Sequence, residues 1–182
     1  MTTIDPLRDR NRRFAETGAH VGATIYPQQD AYVITCLDPR VDPAAFLQLE
    51  LGDAAVVRNA GGRVTDEVLS DLAYISHLSA NRLKPEGPLF EVAVIHHNQC
   101  GTHFLADPAF RQEVTAAIGT DDATVAAMAV TDPERTVRID VARVRASAVL
   151  SDRLTVSGHV YDVTTGILTT IVPAVAIGTG DA

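Results

Sequence analysis

The only two cysteines of this chain stand in two short segments, Cys36-Leu37-Asp38-Pro39-Arg40 and His97-Asn98-Gln99-Cys100-Gly101. Each segment follows a run of β-branched and apolar residues, the pattern of a buried strand that ends there. Together they offer two thiolates and an imidazole, supplied by His97 or its neighbour His96. Three protein ligands suit a zinc ion whose fourth position stays open for water, whereas structural zinc sites usually close with four. Asp38 and Arg40 are not needed to hold a metal. A carboxylate and a guanidinium beside one are what chemistry on a metal-bound water requires. The bland alternatives are a disulfide, or two buried free thiols, with Asp38 and Arg40 forming an ordinary ion pair.

Charge counting constrains that chemistry. Two thiolates and a neutral imidazole bring Zn2+ to about zero net charge, so its water is acidified less than at a three-histidine site. A bare Asp38 would oppose ionisation further. Arg40 offsets this by pairing with Asp38 through its rigid fork. Pro39 biases Asp38 toward an extended conformation, in which positions 36, 38 and 40 project to one side. Asp38 could then accept a hydrogen bond from the nucleophile, or move onto the metal and close its open position. The loop Asn59-Ala60-Gly61-Gly62 is either a plain turn or a place where backbone N–H groups approach a small ligand. His103 is either a solvated surface residue or a proton shuttle.

These residues need a scaffold. Strands are expected over 31–36, 54–58 and 89–96. Helices are expected over 43–49 and from a Thr65 cap to about 80, then over 108–118, 122–128 and 133–150. Segments 154–163 and 167–172 flank Thr164-Thr165-Gly166 and read as a hairpin. The fold class is therefore α/β: a central, mostly parallel sheet flanked by helices, with a C-terminal antiparallel strand. In such sheets ligands gather at the carboxyl ends of the strands, where both cysteine segments fall. Segment 6–18 is a poorly amphipathic helix. The N-terminal arm of residues 1–25 is expected to lie over a partner subunit.

The 182 residues are read as a single domain, 1–182, with no repeat or linker. The net charge of -8 argues against nucleic acid or an anionic membrane as partner. No signal peptide or membrane span is apparent, so a cytoplasmic location with reduced thiols is expected, which favours metal over disulfide.

The chain resembles the β-class carbonic anhydrases, in their short bacterial form. The resemblance rests on Cys36-x-Asp38-x-Arg40, on Arg58-Asn59-Ala60-Gly61-Gly62, and on His97-x-x-Cys100-Gly101. It implies one zinc per chain on Cys36, His97 and Cys100, and picks His97 over His96, which is expected to be satisfied on the other face of its strand. It implies Asp38 and Arg40 as catalytic dyad, with Asn59, Ala60, Gly61 and Gly62 near the substrate. The implied reaction is reversible hydration of carbon dioxide to bicarbonate and a proton by a metal-bound hydroxide, in a homodimer or dimer-based homo-oligomer. The family also contains hydrolases of carbonyl sulfide and carbon disulfide, which the motifs do not separate from it. A rival of another class is a non-catalytic zinc-stabilised module or thiol sensor, which has no use for the dyad. There are departures: Thr102 stands where related members often carry methionine, and only Gln28 or Gln29 is available as a pocket glutamine.

Overall fold

The structure, a computed structural model, describes residues 2–178. Its strands are β1 (Ala31–Cys36), β2 (Ala54–Asn59), β3 (Glu91–His97), β4 (Thr155–Tyr161) and β5 (Leu168–Ala176). Its helices are α1 (Asp5–Thr17), α2 (Pro43–Phe46), α3 (Asp66–Leu78), α4 (Pro108–Ile118), α5 (Asp122–Ala127) and α6 (Pro133–Arg145). The strands form one sheet in the order β2-β1-β3-β4-β5, parallel except for β5.

That order contains a switch point. The chain leaves β1 for β2 on one side, then crosses back over β1 to reach β3. Right-handed crossovers in opposite directions place their helices on opposite faces. Accordingly, Phe46 of α2 stacks on Tyr161 at 4.4 Å. On the other face, Val68 and Leu72 of α3 and Val137, Val141 and Val144 of α6 join Tyr32, Ile34, Val92, Val94 and Val156 in the main core. Alternation along each strand supplies these two sets. Cys36 and His97 end the two strands that flank the switch, where such sheets open a crevice.

Most elements fall where the residues led us to expect them, and the differences have local causes. The helix after the first cysteine segment spans only Pro43–Phe46. The helix capped by Thr65, whose side chain accepts the Val68 amide, loosens after Leu78 into a π-turn over Ser79–Leu83. The final helix stops at Arg145 rather than near 150. The third strand starts at Glu91 and includes His97. The last strand runs through Pro173 to Ala176, which an edge strand allows because one side of it donates to no neighbour. Helix α1 buries none of its residues, and Ile4, Leu7 and Phe14 are exposed.

A buried polar network locks α6 to the sheet. Asp140 of α6 accepts from Arg63 Nε at 2.7 Å, from Arg63 Nη2 at 3.1 Å and from the Val64 amide at 3.2 Å. His96 Nε2 lies 3.2 Å from the same carboxylate, and its Nδ1 lies 2.7 Å from Thr136 Oγ1 of α6. Burial pushes the Asp140 carboxyl up, but the hydrogen bonds from His96 and Arg63 outweigh it and hold the pKa below 3.8.

Asp140→Ala should therefore cost about 3–5 kcal/mol in urea unfolding at neutral pH, the scale for removing one partner of a buried charge pair. The carboxyl's pKa is lowered by folding, so its contribution is complete above the unfolded value of 3.8 and fades as pH falls through the folded one. The stability gap between wild type and Asp140→Asn should accordingly narrow below about pH 4. A gap that is constant with pH would contradict this account.

Candidate metal centre

Cys36 Sγ, a ring nitrogen of His97 and Cys100 Sγ all lie within 4.8 Å of one another, and the three residues are buried. Among the described residues they are the one group of histidine, cysteine or acidic side chains able to hold a metal ion. Pairing of β1 with β3 brings the first two together, and the turn after β3 returns Cys100. Gln99 takes a left-handed φ of 53° in that turn.

The donor set fits zinc. The two sulfurs are 3.8 Å apart, and both cysteines are free. A tetrahedral ion with Zn–S bonds of about 2.3 Å spaces two sulfurs at about 3.8 Å. His97 Nδ1 lies 2.8 Å from the Asn98 carbonyl, which only accepts, so Nδ1 carries the proton. His97 Nε2 is then a bare lone pair, and it is buried without a hydrogen-bond partner. A buried unpaired acceptor is costly unless something binds it. His96 differs, since both of its ring nitrogens have partners on the opposite side of the strand.

Hydrogen bonds prepare the sulfurs for negative charge. The amides of Asp38 and Gly61 donate to Cys36 Sγ, the former at 3.4 Å. The amide and hydroxyl of Thr102 meet Cys100 Sγ. A hydrogen bond links the two sulfurs. The bond between them pushes the Cys36 thiol up and holds Cys100 well below the ordinary thiol range.

Asp38 sits beside this cluster and is gripped by Arg40. Arg40 Nε donates to Oδ1 at 3.0 Å and Nη2 to Oδ2 at 2.7 Å. These bonds hold the carboxyl down to about 2 against the effect of burial. The chain does not run extended through 36, 38 and 40. Asp38 Oδ1 accepts the Arg40 amide at 2.9 Å, folding the segment into a tight turn. Arg40 Nη2 also donates to the Gln99 carbonyl at 2.9 Å, so it ties the two ligand-bearing segments together. Arg58 braces the turn from below, donating to the carbonyls of Cys36 and Asp38 at 3.0 and 2.8 Å.

The loop Asn59–Gly62 packs closely against its surroundings. Asn59 clasps Arg63, with its side chain bonding both the amide and the carbonyl of that residue. A Cβ on Gly62 would stand 2.9 Å from the Cys36 backbone nitrogen, and one on Gly61 2.8 Å from the Met128 carbonyl. Both glycines also have positive φ. They let the loop press against the end of β1 and aim the Gly61 amide at Cys36. Asn59 and Ala60 line a groove of about 710 Å³ that includes none of the three ligands. Gln28 and Gln29 precede β1 at the end of the sheet opposite Cys36, so within one chain they do not reach the centre. His103 is exposed, its Nδ1 lying 2.7 Å from the Cys100 carbonyl. Arg63, Thr136 and Asp140 carried no separate signal, because their partners in the buried network are distant in sequence.

Comparison with known proteins agrees with this geometry. The carbonic anhydrase family model matches residues 31–120. Beta-carbonic anhydrase 1 of Mycobacterium tuberculosis is 29% identical over 173 residues, covering 95% of this chain and 100% of that one. The crystal structure of carbonic anhydrase from Streptococcus mutans is 30% identical, with a TM-score of 0.76 over 94% of this chain and 98% of that one. Carbon disulfide hydrolase of Acidithiobacillus thiooxidans is 36% identical over 72 residues, covering 38% of this chain and 32% of the hydrolase. The switch-point sheet, the two-cysteine, one-histidine cluster and these matches together define the class: the chain belongs to the β-carbonic anhydrase family.

The two histidines give a direct check. His97→Ala should abolish tight zinc binding in elemental analysis, whereas His96→Ala should keep zinc and lower the melting temperature. Cys100→Ser should also lose most of its metal. A fully loaded His97→Ala protein would remove the case for this ligand set.

Proposed function

We propose that the chain catalyses reversible hydration of carbon dioxide to bicarbonate and a proton, with one zinc held by Cys36, His97 and Cys100. The observation that carries this reading is the convergence of three ligand atoms beside a carboxylate locked by a bidentate arginine. A structural site would need a fourth ligand and no such pair. When bound, zinc supplies Lewis acidity that turns water into a nucleophile near neutral pH.

The remaining roles belong to the chain's own residues. Asp38, held ionised by Arg40, presents an acceptor at neutral pH. It takes a hydrogen bond from the nucleophile and aims the lone pair at the substrate carbon. Arg40 keeps both carboxylate oxygens engaged, which holds Asp38 off the ligand set. Val130, packed on the two cysteines, sets an apolar side chain beside the ligands, which suits a small, uncharged substrate. The proton released passes to solvent and buffer. The exposed apolar residues of α1 support a homodimer in which this arm covers the partner.

A second reading, hydrolysis of carbonyl sulfide or carbon disulfide at the same centre, is favoured by the 72-residue match to a carbon disulfide hydrolase. Assaying the zinc-loaded protein side by side on the three substrates decides between them.

Asp38→Asn and Arg40→Ala should both keep zinc, because neither is among the three ligands. Both should lose turnover by ~10²-fold or more, the scale for a positioned acid–base or orienting group. If both variants hydrate carbon dioxide at wild-type rates, the pair is only structural.

A further inference from the structure

We infer that Thr102 is a positioning residue that sets the electron-donating strength of Cys100, through a hydroxyl proton committed to the sulfur. This rests on the proposed metal centre and adds a tuning element to it.

Thr102 Oγ1 lies 3.1 Å from Cys100 Sγ. The same oxygen accepts the amide of Val130 at 3.3 Å. A hydroxyl has one proton and two lone pairs. With one lone pair taken by Val130, the proton is free, and the sulfur is the acceptor within reach. A thiolate that ligates a metal has no proton to give, so the direction is fixed: Thr102 donates and Cys100 accepts. The Thr102 amide donates to the same sulfur. One residue therefore delivers two hydrogen bonds to one ligand.

The surroundings hold this hydroxyl in place. Thr102 is half-buried, and it stands where a Cβ on Gly61 would come within 3.2 Å of its oxygen. Glycine at 61 leaves room for the hydroxyl, and the Val130 amide orients it. Val130 itself packs on Cys36 and Cys100.

The consequence is electronic. Two thiolates cancel the charge of a divalent ion and blunt its Lewis acidity. A hydroxyl that draws density from one sulfur restores part of that acidity, as outer-shell partners of metal ligands do. Apart from its contact with Cys100, Cys36 receives hydrogen bonds from backbone amides, those of Asp38 and Gly61. Thr102 is thus the side chain through which the sequence adjusts the sulfur donors.

The test uses the cobalt-substituted protein, whose sulfur-to-metal charge-transfer band reports thiolate donor strength directly. Thr102→Val keeps shape and removes the hydroxyl, and Thr102→Ser keeps the hydroxyl. The band should move to longer wavelength in Thr102→Val and return to the wild-type position in Thr102→Ser. Zinc-loaded Thr102→Val should turn over ~10-fold more slowly, with the serine variant near wild type. Should the valine protein fail to fold, Thr102→Ala deletes the same hydroxyl and is read the same way. A merely structural threonine would lower the melting temperature and leave the band unmoved, which would overturn the inference. Absence of any charge-transfer band in the cobalt-loaded wild type would instead overturn the cysteine metal centre itself.

Discussion

Asp140 is an ionised carboxylate placed in the interior between helix and sheet, and the geometry of the centre hangs on how it is satisfied. It takes hydrogen bonds from Arg63 and from the Val64 amide after β2, and faces His96 in β3. Three parts of the chain are thereby fixed to one group. The effect on His96 matters most. Once that ring is held inward by Asp140 and Thr136, strand alternation sends the next ring to the opposite face. His97 is aimed at the cysteines because its neighbour is anchored away from them. A buried charge whose partners cannot be removed cheaply here also defines a direction.

The same economy governs the sulfurs. Two thiolates side by side in a buried site repel each other and lose hydration, so each needs donors. The chain supplies them from what the turns already expose. The Asp38 amide comes from the tight turn after β1, the Gly61 amide from the glycine loop, and the Thr102 groups from the turn after Cys100. Arg40 and Arg58 bind carbonyls of the same turns. Loops that read as punctuation in the sequence serve as the ligand environment.

This division explains what the sequence disclosed. Cys36, His97 and Cys100 were legible because thiols are scarce in the chain and β-branched runs mark where the strands end. Asp38 and Arg40 were legible from their closeness to Cys36, although their turn geometry was not, since Asp38 bonds the amide two residues on instead of letting the chain extend. Arg63 and Asp140 are 77 residues apart, and no local pattern links them. The glycines were legible as unusual, and packing against β1 and Met128, which the sequence does not show, demands them. The end of α6 at Arg145 was not marked by glycine or proline, so periodicity alone overran it.

The position of the cysteines on neighbouring strands also decides where metal affinity comes from. Joining residues 64 apart in a free chain costs roughly 4 kcal/mol of closure entropy, beyond a constant term. In a zinc finger the ion must offset such a cost itself, and its binding energy is spent on folding. Here the pairing of β1 with β3 closes that span through backbone hydrogen bonds and a shared apolar core. Coordination then adds no further chain restriction. The affinity of a metal held here would be left to ligand chemistry alone, so substitutions around the sulfurs would alter metal exchange while the sheet that carries them stays folded.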